Sequence, residues 1–256
     1  MSRLAATFAN KQKKLITFIM ATDPDHETSL ALLKALPAAG ADVIELGMPF
    51  TDPVADGPTI QAAGLRALAN GASMKRTLGM VAAFRQSDTK TPVVLMGYAN
   101  PVMAYGWEKF AGDAAKAGVD QVTRVLAQED GEFRALCTKN GLDLIRLLTP
   151  TSDEGRLPAL LKDVSGFLYY VSVAGITGSG SADAASLAPH IAQIKAKTAL
   201  PLAIGFGVKT PADVKAMAAQ ADAVVVGSAI INALQAGGVA AAGELVQSLA
   251  SALRSC

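Results

Sequence analysis

The chain has 256 residues, of which 51% are hydrophobic and 18% are charged, and its formal net charge is +1. The length is close to the roughly 250 residues of one eight-stranded α/β barrel. The near-neutral charge gives no electrostatic indication of binding to nucleic acid or an anionic membrane.

The first apolar segment, residues 15–21, follows a cluster of lysines, as it would in a signal peptide. It ends at Asp23, well short of the roughly 20 residues that span a bilayer, and no small-residue cleavage site follows. We therefore expect a cytoplasmic protein that does not associate with membranes. In that compartment Cys137 and Cys256 are expected to be reduced thiols.

Short β-rich segments alternate with helical patterns along the chain. The predicted strands are residues 15–21, 42–46, 92–97, 120–127, 142–148, 167–173, 202–205 and 223–227. Helical patterns between them include residues 27–39, 107–117, 212–219 and 239–254. This alternation predicts a parallel sheet, and eight such units close naturally into a barrel. We therefore predict the α/β class, with a single (β/α)8 TIM barrel as one domain over residues 1–256.

Three predicted strands are introduced by a glycine two residues before an aspartate. These glycines are Gly40, Gly118 and Gly141. A glycine suits the left-handed position that ends a helix, so each is predicted to stop the helix before it.

Two connections are unusually long, residues 47–58 after the second strand and residues 174–185 after the sixth. Long loops in compact domains are usually functional or mobile. Both follow the C-terminal ends of strands, where barrel enzymes build their active sites.

Two carboxylates near this end of the barrel are candidate catalytic groups. Side chains alternate along a strand, so Glu45 points into the barrel if Ile44 and Leu46 pack under the outer helices. Burial would raise its pKa and suit it to acid–base work, although a strand-end glutamate held by backbone donors fits the same pattern. Asp56 precedes Gly-Pro, and ordinary turn chemistry explains that position equally well.

Glycine-containing turns follow predicted strands 6, 7 and 8, at residues 175–178, 205–207 and 227–228. Backbone N–H groups at such turns and at helix starts bind phosphate. Ser228 is predicted to begin the helix after strand 8, where its amide and hydroxyl can both donate. Together these turns predict a phosphate site.

Other chemistries lack their usual residues. The histidines, His26 and His190, fall near helices, and no cluster has metal-ligand spacing. No lysine lies within a predicted strand, which argues against a Schiff-base mechanism, and no dinucleotide-binding motif follows a strand. We expect acid–base chemistry on a phosphorylated small molecule, with neither cofactor nor metal.

Several motifs occur together in one order. They read ELGMPFTDPVADGPTIQ at 45–61, LMGYANP at 95–101, YYVS at 169–172, GITG at 175–178, GFG at 205–207 and VGSA at 226–229. In this order the chain resembles the tryptophan synthase α subunit family over roughly residues 5–249.

The resemblance implies retro-aldol cleavage of indole-3-glycerol phosphate to indole and glyceraldehyde 3-phosphate, without a cofactor. It makes Glu45 the general acid–base and Asp56 the carboxylate that accepts the indole N–H. It implies substrate contacts by Phe18, Tyr98, Tyr169, Thr177, Gly178, Phe206, Gly207, Gly227 and Ser228. It also implies a pyridoxal-phosphate β subunit as partner in an α2β2 complex, with the loop 47–58 at the interface.

The chain departs from the family pattern in two places. The fourth predicted strand lacks the family's Asp-Leu-Pro and carries Gln121 and Arg124, which suit a buried strand poorly. Thr22 stands where the family commonly has glycine, and its Cβ would be strained at positive φ.

These departures leave two alternatives open. One is a diverged or engineered α-type subunit with weak activity that serves as a binding or scaffold partner, its contact with the β subunit weakened by the altered fourth strand. The other is a different phosphosugar barrel enzyme, against which the run DPVADGP at 52–58 counts heavily.

Overall fold

The computed structural model describes residues 2–124, 131–150, 152, 155–162, 164–171, 184–205 and 207–256. Within these residues, eight parallel strands close into a barrel in chain order. The strands are β1 (Lys14–Met20), β2 (Val43–Gly47), β3 (Val93–Gly97), β4 (Gln121–Arg124), β5 (Asp143–Leu148), β6 (Leu168–Tyr170), β7 (Leu202–Ile204) and β8 (Ala223–Val226). The predicted barrel is confirmed; the predicted strand ends at residues 125–127 and 172–173 lie outside the described residues.

Helices lie between the strands, before the first one and after the last. They are α1 (Arg3–Thr7), α2 (His26–Ala39), α3 (Pro58–Ala69), α4 (Met74–Arg85), α5 (Ala99–Tyr105), α6 (Trp107–Ala117), α7 (Gly131–Lys139), α8 (Leu157–Leu161), α9 (Ala184–Lys197), α10 (Pro211–Ala218) and α11 (Ser228–Arg254). The predicted helix 239–254 is the second part of α11.

Helix α11 is long and apolar enough, by length and composition, to cross a membrane. Its helical conformation breaks at Gly237 and Gly238, where φ is −148° and 69°. The break leaves two segments, each shorter than the roughly 20 residues that a span requires. Helix α11 packs against α2, α10 and β1 as part of the outer layer of the barrel.

The predicted helix stops have the expected conformation. Gly40, Gly118 and Gly141 adopt positive φ values of 107°, 88° and 72°. The aspartates that follow two of them fasten strands together: Asp42 accepts a hydrogen bond from the Leu15 amide at 2.8 Å, and Asp120 accepts one from the Val93 amide at 2.9 Å. The repeated motif, a glycine two residues before an aspartate, therefore stabilises the N-terminal end of the barrel.

The barrel interior is filled in layers of four side chains from alternate strands, as the strand register and the stagger of this fold require. The lowest layer contains Val43, Gln121, Phe167 and Ala223. The middle layer contains Ile16, Val94, Ile145 and Ala203. The third layer contains Glu45, Thr123, Tyr169 and Val225, and Phe18 and Met96 lie beyond it, nearest the C-terminal ends of the strands.

The expectation that no lysine lies in a strand is wrong by one residue, because β1 begins at Lys14. The Lys14 side chain is buried, and its Nζ donates to Asn10 Oδ1 at 2.6 Å. Lys14 is the first residue of β1, so it lies at the N-terminal end of the barrel, opposite the end where the candidate carboxylates lie. The correction therefore places no lysine beside them.

Both departures from the family pattern carry the expected local cost. Thr22 has φ of 69° and is fully buried, and its hydroxyl has no hydrogen-bond partner among the described residues. Gln121 has no exposed surface, and within the same residues neither polar atom of its amide group has a partner. Its side chain fills the space beside Gly166, where an added Cβ would lie 1.6 Å from Gln121 Nε2.

Candidate active site

Glu45 lies on β2 with its side chain inside the barrel. Its neighbours Ile44 and Leu46 pack in the outer core beneath the helices, which leaves Glu45 on the opposite face. The side chain has no exposed surface, and neither carboxylate oxygen has a hydrogen-bond partner within the described part of the chain. Burial raises the pKa of Glu45 to about 8, so the group is protonated at neutral pH.

Asp56 lies in the long loop after β2 and is half-buried. Burial raises its pKa to about 6, and a hydrogen bond from Tyr98 opposes that rise. The Tyr98 hydroxyl also accepts a hydrogen bond from the Ala55 amide at 2.9 Å. Burial and the charge of Asp56 raise the pKa of Tyr98 to about 12, so it remains a neutral donor. Tyr98 therefore holds the loop and keeps Asp56 ionised at neutral pH.

Tyr169 connects the two carboxylates electrostatically. It lies on β6 in the same interior layer as Glu45 and is only 8% exposed. Burial raises its pKa well above the ordinary value, and the charges of Glu45 and Asp56 raise it further. Tyr169 therefore stays neutral over the pH range in which Asp56 and Glu45 titrate.

An open cavity lies at this end of the barrel, where barrel enzymes build their active sites. Its apolar wall includes Phe18, Ile60, Met96 and Val225, and Tyr169 lies among them. On another side it is lined by Gly205, Gly207, Val208, Lys209, Gly227 and Ser228, and Asp56 also faces it. Glu45 adjoins the cavity through Phe18, its register partner on β1.

The cavity brings together many of the residues that the sequence indicated. Phe18, Asp56, Tyr169, Gly207, Gly227 and Ser228 all line it. Ser228 is the first residue of α11, as predicted. Tyr98 reaches the site through Asp56. Thr177, Gly178 and Phe206 lie outside the described residues.

The sequence interpretation missed Met96 and Lys209. Lys209 contributes a cation two residues after Gly207, in a loop that commonly holds phosphate in this fold, and that position was the available signal. Met96 had no comparable signal, because only the strand register shows that it faces the interior. Within the described part of the chain, no group of three or more His, Cys, Asp or Glu residues is placed to hold a metal ion.

The closed barrel, its cavity and its two carboxylates of different pKa define an α/β-barrel enzyme site suited to acid–base chemistry. Comparison with known proteins narrows this class. The tryptophan synthase alpha chain family matches residues 4–254. Tryptophan synthase subunit alpha from Legionella pneumophila is 39% identical, with a TM-score of 0.93 and 100% of both chains covered. Tryptophan synthase from Mycobacterium tuberculosis is 36% identical, with a TM-score of 0.91, covering 99% of this chain and 98% of that one.

The chain therefore belongs to the tryptophan synthase alpha chain family. Members of this family are lyases of tryptophan biosynthesis, and their reaction is the retro-aldol cleavage of indole-3-glycerol phosphate. They pair with a β subunit and are typically cytoplasmic.

Proposed function

We propose that Glu45 and Asp56 are the catalytic pair of this reaction in the present chain. The observation that carries the proposal is the separation of their pKa values, about 8 for Glu45 and about 6 for Asp56. At neutral pH this leaves one carboxylic acid able to donate a proton and one carboxylate able to accept a hydrogen bond. When their environments separate the pKa values of two titratable groups in an active site, one group commonly acts as the acid and the other as the base.

The proposed reaction begins with proton transfer from Glu45 to C3 of the indole ring. The ring then carries positive charge at N1, and Asp56 accepts the hydrogen bond of its N–H. The ionised Glu45 next takes the proton of the hydroxyl on the carbon attached to C3. The bond between these carbons breaks as the aldehyde forms, and its electron pair returns to the ring as neutral indole. Glu45 regains its proton in this step, so no cofactor is consumed.

The proposed orientation places the phosphate near β7 and β8 and the ring near β2 and β3. Backbone groups of Gly207, Gly227 and Ser228 bind the phosphate, helped by the N-terminus of α11. Lys209 lines the same part of the cavity and supplies the positive charge. The ring lies against the apolar wall of the cavity. By resemblance we also propose contacts from Thr177, Gly178 and Phe206.

The test is to incubate the isolated chain with indole-3-glycerol phosphate in buffer that contains a chelator and no pyridoxal phosphate. We expect indole and glyceraldehyde 3-phosphate in equal amounts. The absence of both products, with phosphate-ligand binding retained, would favour a weakly active scaffold subunit, an alternative motivated by the unpartnered Gln121 in β4.

We also propose an α2β2 complex whose interface includes the loop after β2. Val54 in that loop and Met103 on α5 are exposed by 83% and 57%, and both follow the C-terminal ends of strands. Large apolar side chains exposed at the same end of the barrel suit a protein partner. The altered segment 125–130 lies outside the described residues, and we propose that its lost carboxylate weakens activation by the β subunit.

Titrating β subunit while following indole release tests this part of the proposal. We expect little increase over the isolated chain. A large saturable increase would show that the altered segment does not matter for activation.

We further propose that residues 1–256 form one barrel domain that acts in the cytoplasm.

A further inference from the structure

Thr123 is a buried polar residue that the proposed reaction does not use. It lies on β4, where Val122 packs outward in the outer core, so Thr123 faces the barrel interior. Its side chain has no exposed surface, and its Oγ1 has no hydrogen-bond partner among the residues that the structure describes. Buried hydroxyl groups are nearly always paired, so this position calls for an explanation.

The position of Thr123 relates it to the ring end of the cavity. It shares an interior layer with Glu45 and Tyr169, and its register partner on β3 is Met96, which lines the cavity. The proposed phosphate contacts follow β7 and β8, on the opposite side of the barrel from β4. A substrate that spans the cavity therefore turns the outer edge of its ring toward Thr123.

Among the described side chains of this strand, Gln121 is also polar and unpartnered, but it is too deep to contribute. It lies in the lowest layer, beside Gly166, and the middle layer containing Val94 and Ile145 separates it from the cavity. Among the β4 side chains that the structure describes, Thr123 is therefore the unpartnered polar group nearer the cavity.

We propose that Thr123 is a specificity-determining residue that favours indole rings carrying a hydroxyl group on the edge facing β4. An unsubstituted ring leaves the Thr123 hydroxyl buried without a partner, whereas a ring hydroxyl pairs with it. The hydrogen bond stabilises the hydroxylated ligand, and an unpaired buried hydroxyl costs even more free energy than that bond contributes. Both effects therefore favour the hydroxylated ring over the unsubstituted one. The inference rests on the proposed function, since it takes the indole ring to occupy this cavity.

The test compares the dissociation constants of indole and of 4-, 5-, 6- and 7-hydroxyindole, measured by ligand-observed NMR titration of the full chain. The variants are Thr123→Val, which keeps the shape but removes the hydroxyl, and Thr123→Ser, which retains it. Thr17→Val is the matched control, because Thr17 is equally buried but faces outward, with its hydroxyl 3.5 Å from the Val43 carbonyl oxygen.

For at least one hydroxyindole, we expect Thr123→Val to lower the preference over indole by about twofold to tenfold, the size of one net hydrogen bond. Thr123→Ser and Thr17→Val should retain the wild-type preference. If Thr123→Val leaves the preference unchanged for all four hydroxyindoles, the inference is wrong while the proposed function stands. If the wild-type chain binds no indole and releases none from indole-3-glycerol phosphate, the proposed function itself fails.

Discussion

Tyr169 occupies the space that a side chain at position 205 would need. A Cβ added to Gly205 would lie 2.4 Å from the Tyr169 hydroxyl and 2.9 Å from the ring carbon that bears it. Because Tyr169 is buried beside Glu45, it has little room to move. The absence of a side chain at Gly205 is therefore what allows Tyr169 to stand in the wall of the cavity.

We predict that Gly205→Ala displaces Tyr169 and lowers kcat/KM for indole-3-glycerol phosphate by about 10- to 100-fold, since small displacements in an active site have effects of that size. Gly243→Ala is the control, because a Cβ there would meet nothing within 4 Å. Steady-state kinetics on both variants makes the comparison. Full activity in Gly205→Ala would show that the position of Tyr169 is unimportant.

The pH dependence of kcat/KM should be bell-shaped. Asp56 must be ionised to accept the ring N–H, so activity should rise as pH increases through about 6. Glu45 must be protonated to act as an acid, so activity should fall as pH increases through about 8. Initial rates between pH 5 and 9 test both limbs. A profile without an alkaline limb would remove Glu45 as the proton donor.

Thr22→Gly should stabilise the protein. A non-glycine residue at positive φ costs about 1–2 kcal/mol, and the buried Thr22 hydroxyl has no partner. The greater flexibility of glycine in the unfolded chain offsets roughly 0.5–1 kcal/mol of that gain. A net gain near 1 kcal/mol raises the Tm of a chain this long by about 2–4 °C.

Thr22→Ala separates the two causes of that gain, because it removes the hydroxyl but keeps the Cβ. Thermal unfolding of both variants should therefore rank glycine above alanine. The reverse ranking would mean that backbone strain at this position is negligible.

Glu45→Gln should become more stable than the wild type as pH rises. The folded-state pKa of Glu45 is about 8, above its ordinary value of 4.5, so the folded protein retains a proton that the unfolded chain releases. Raising the pH from about 4.5 to 8 therefore favours the unfolded chain, in which Glu45 is ionised. The free energy of unfolding of the wild type falls over this range by on the order of 3–5 kcal/mol at most. Urea unfolding at pH 5 and pH 8.5 should show a difference that favours the variant only at the higher pH. An equal difference at both pH values would contradict the buried, raised pKa.

The sequence predicted the barrel because its strands and helices alternate in short, well-separated patterns. Glu45 could be placed inside the barrel because side-chain alternation is strict and Ile44 and Leu46 are strongly apolar. The sequence predicted that Thr22 would be strained if its φ were positive. It could not predict the value of φ, which depends on how the chain leaves β1.

Other features required the three-dimensional register. The layer that Thr123 shares with Glu45 follows from the stagger between β2 and β4, which sequence patterns do not encode. The pKa of Glu45 depends on its complete burial inside the barrel, which cannot be inferred from the residues next to it in sequence. The one-residue error at Lys14 arose because a strand end is set by pairing with β8, where Lys14 opposes Ala223.

The most direct test of the account is the rate at which Glu45→Gln releases indole from indole-3-glycerol phosphate at pH 7. Glutamine retains the shape of the side chain but has no proton to transfer, and the loss of general acid–base catalysis typically costs about 10²–10⁴-fold in rate. We predict a decrease in kcat of that size, with the affinity for glycerol 3-phosphate unchanged, because the proposed phosphate contacts lie near β7 and β8. Indole release within a few fold of the wild-type rate would contradict the assignment of Glu45 as the catalytic acid.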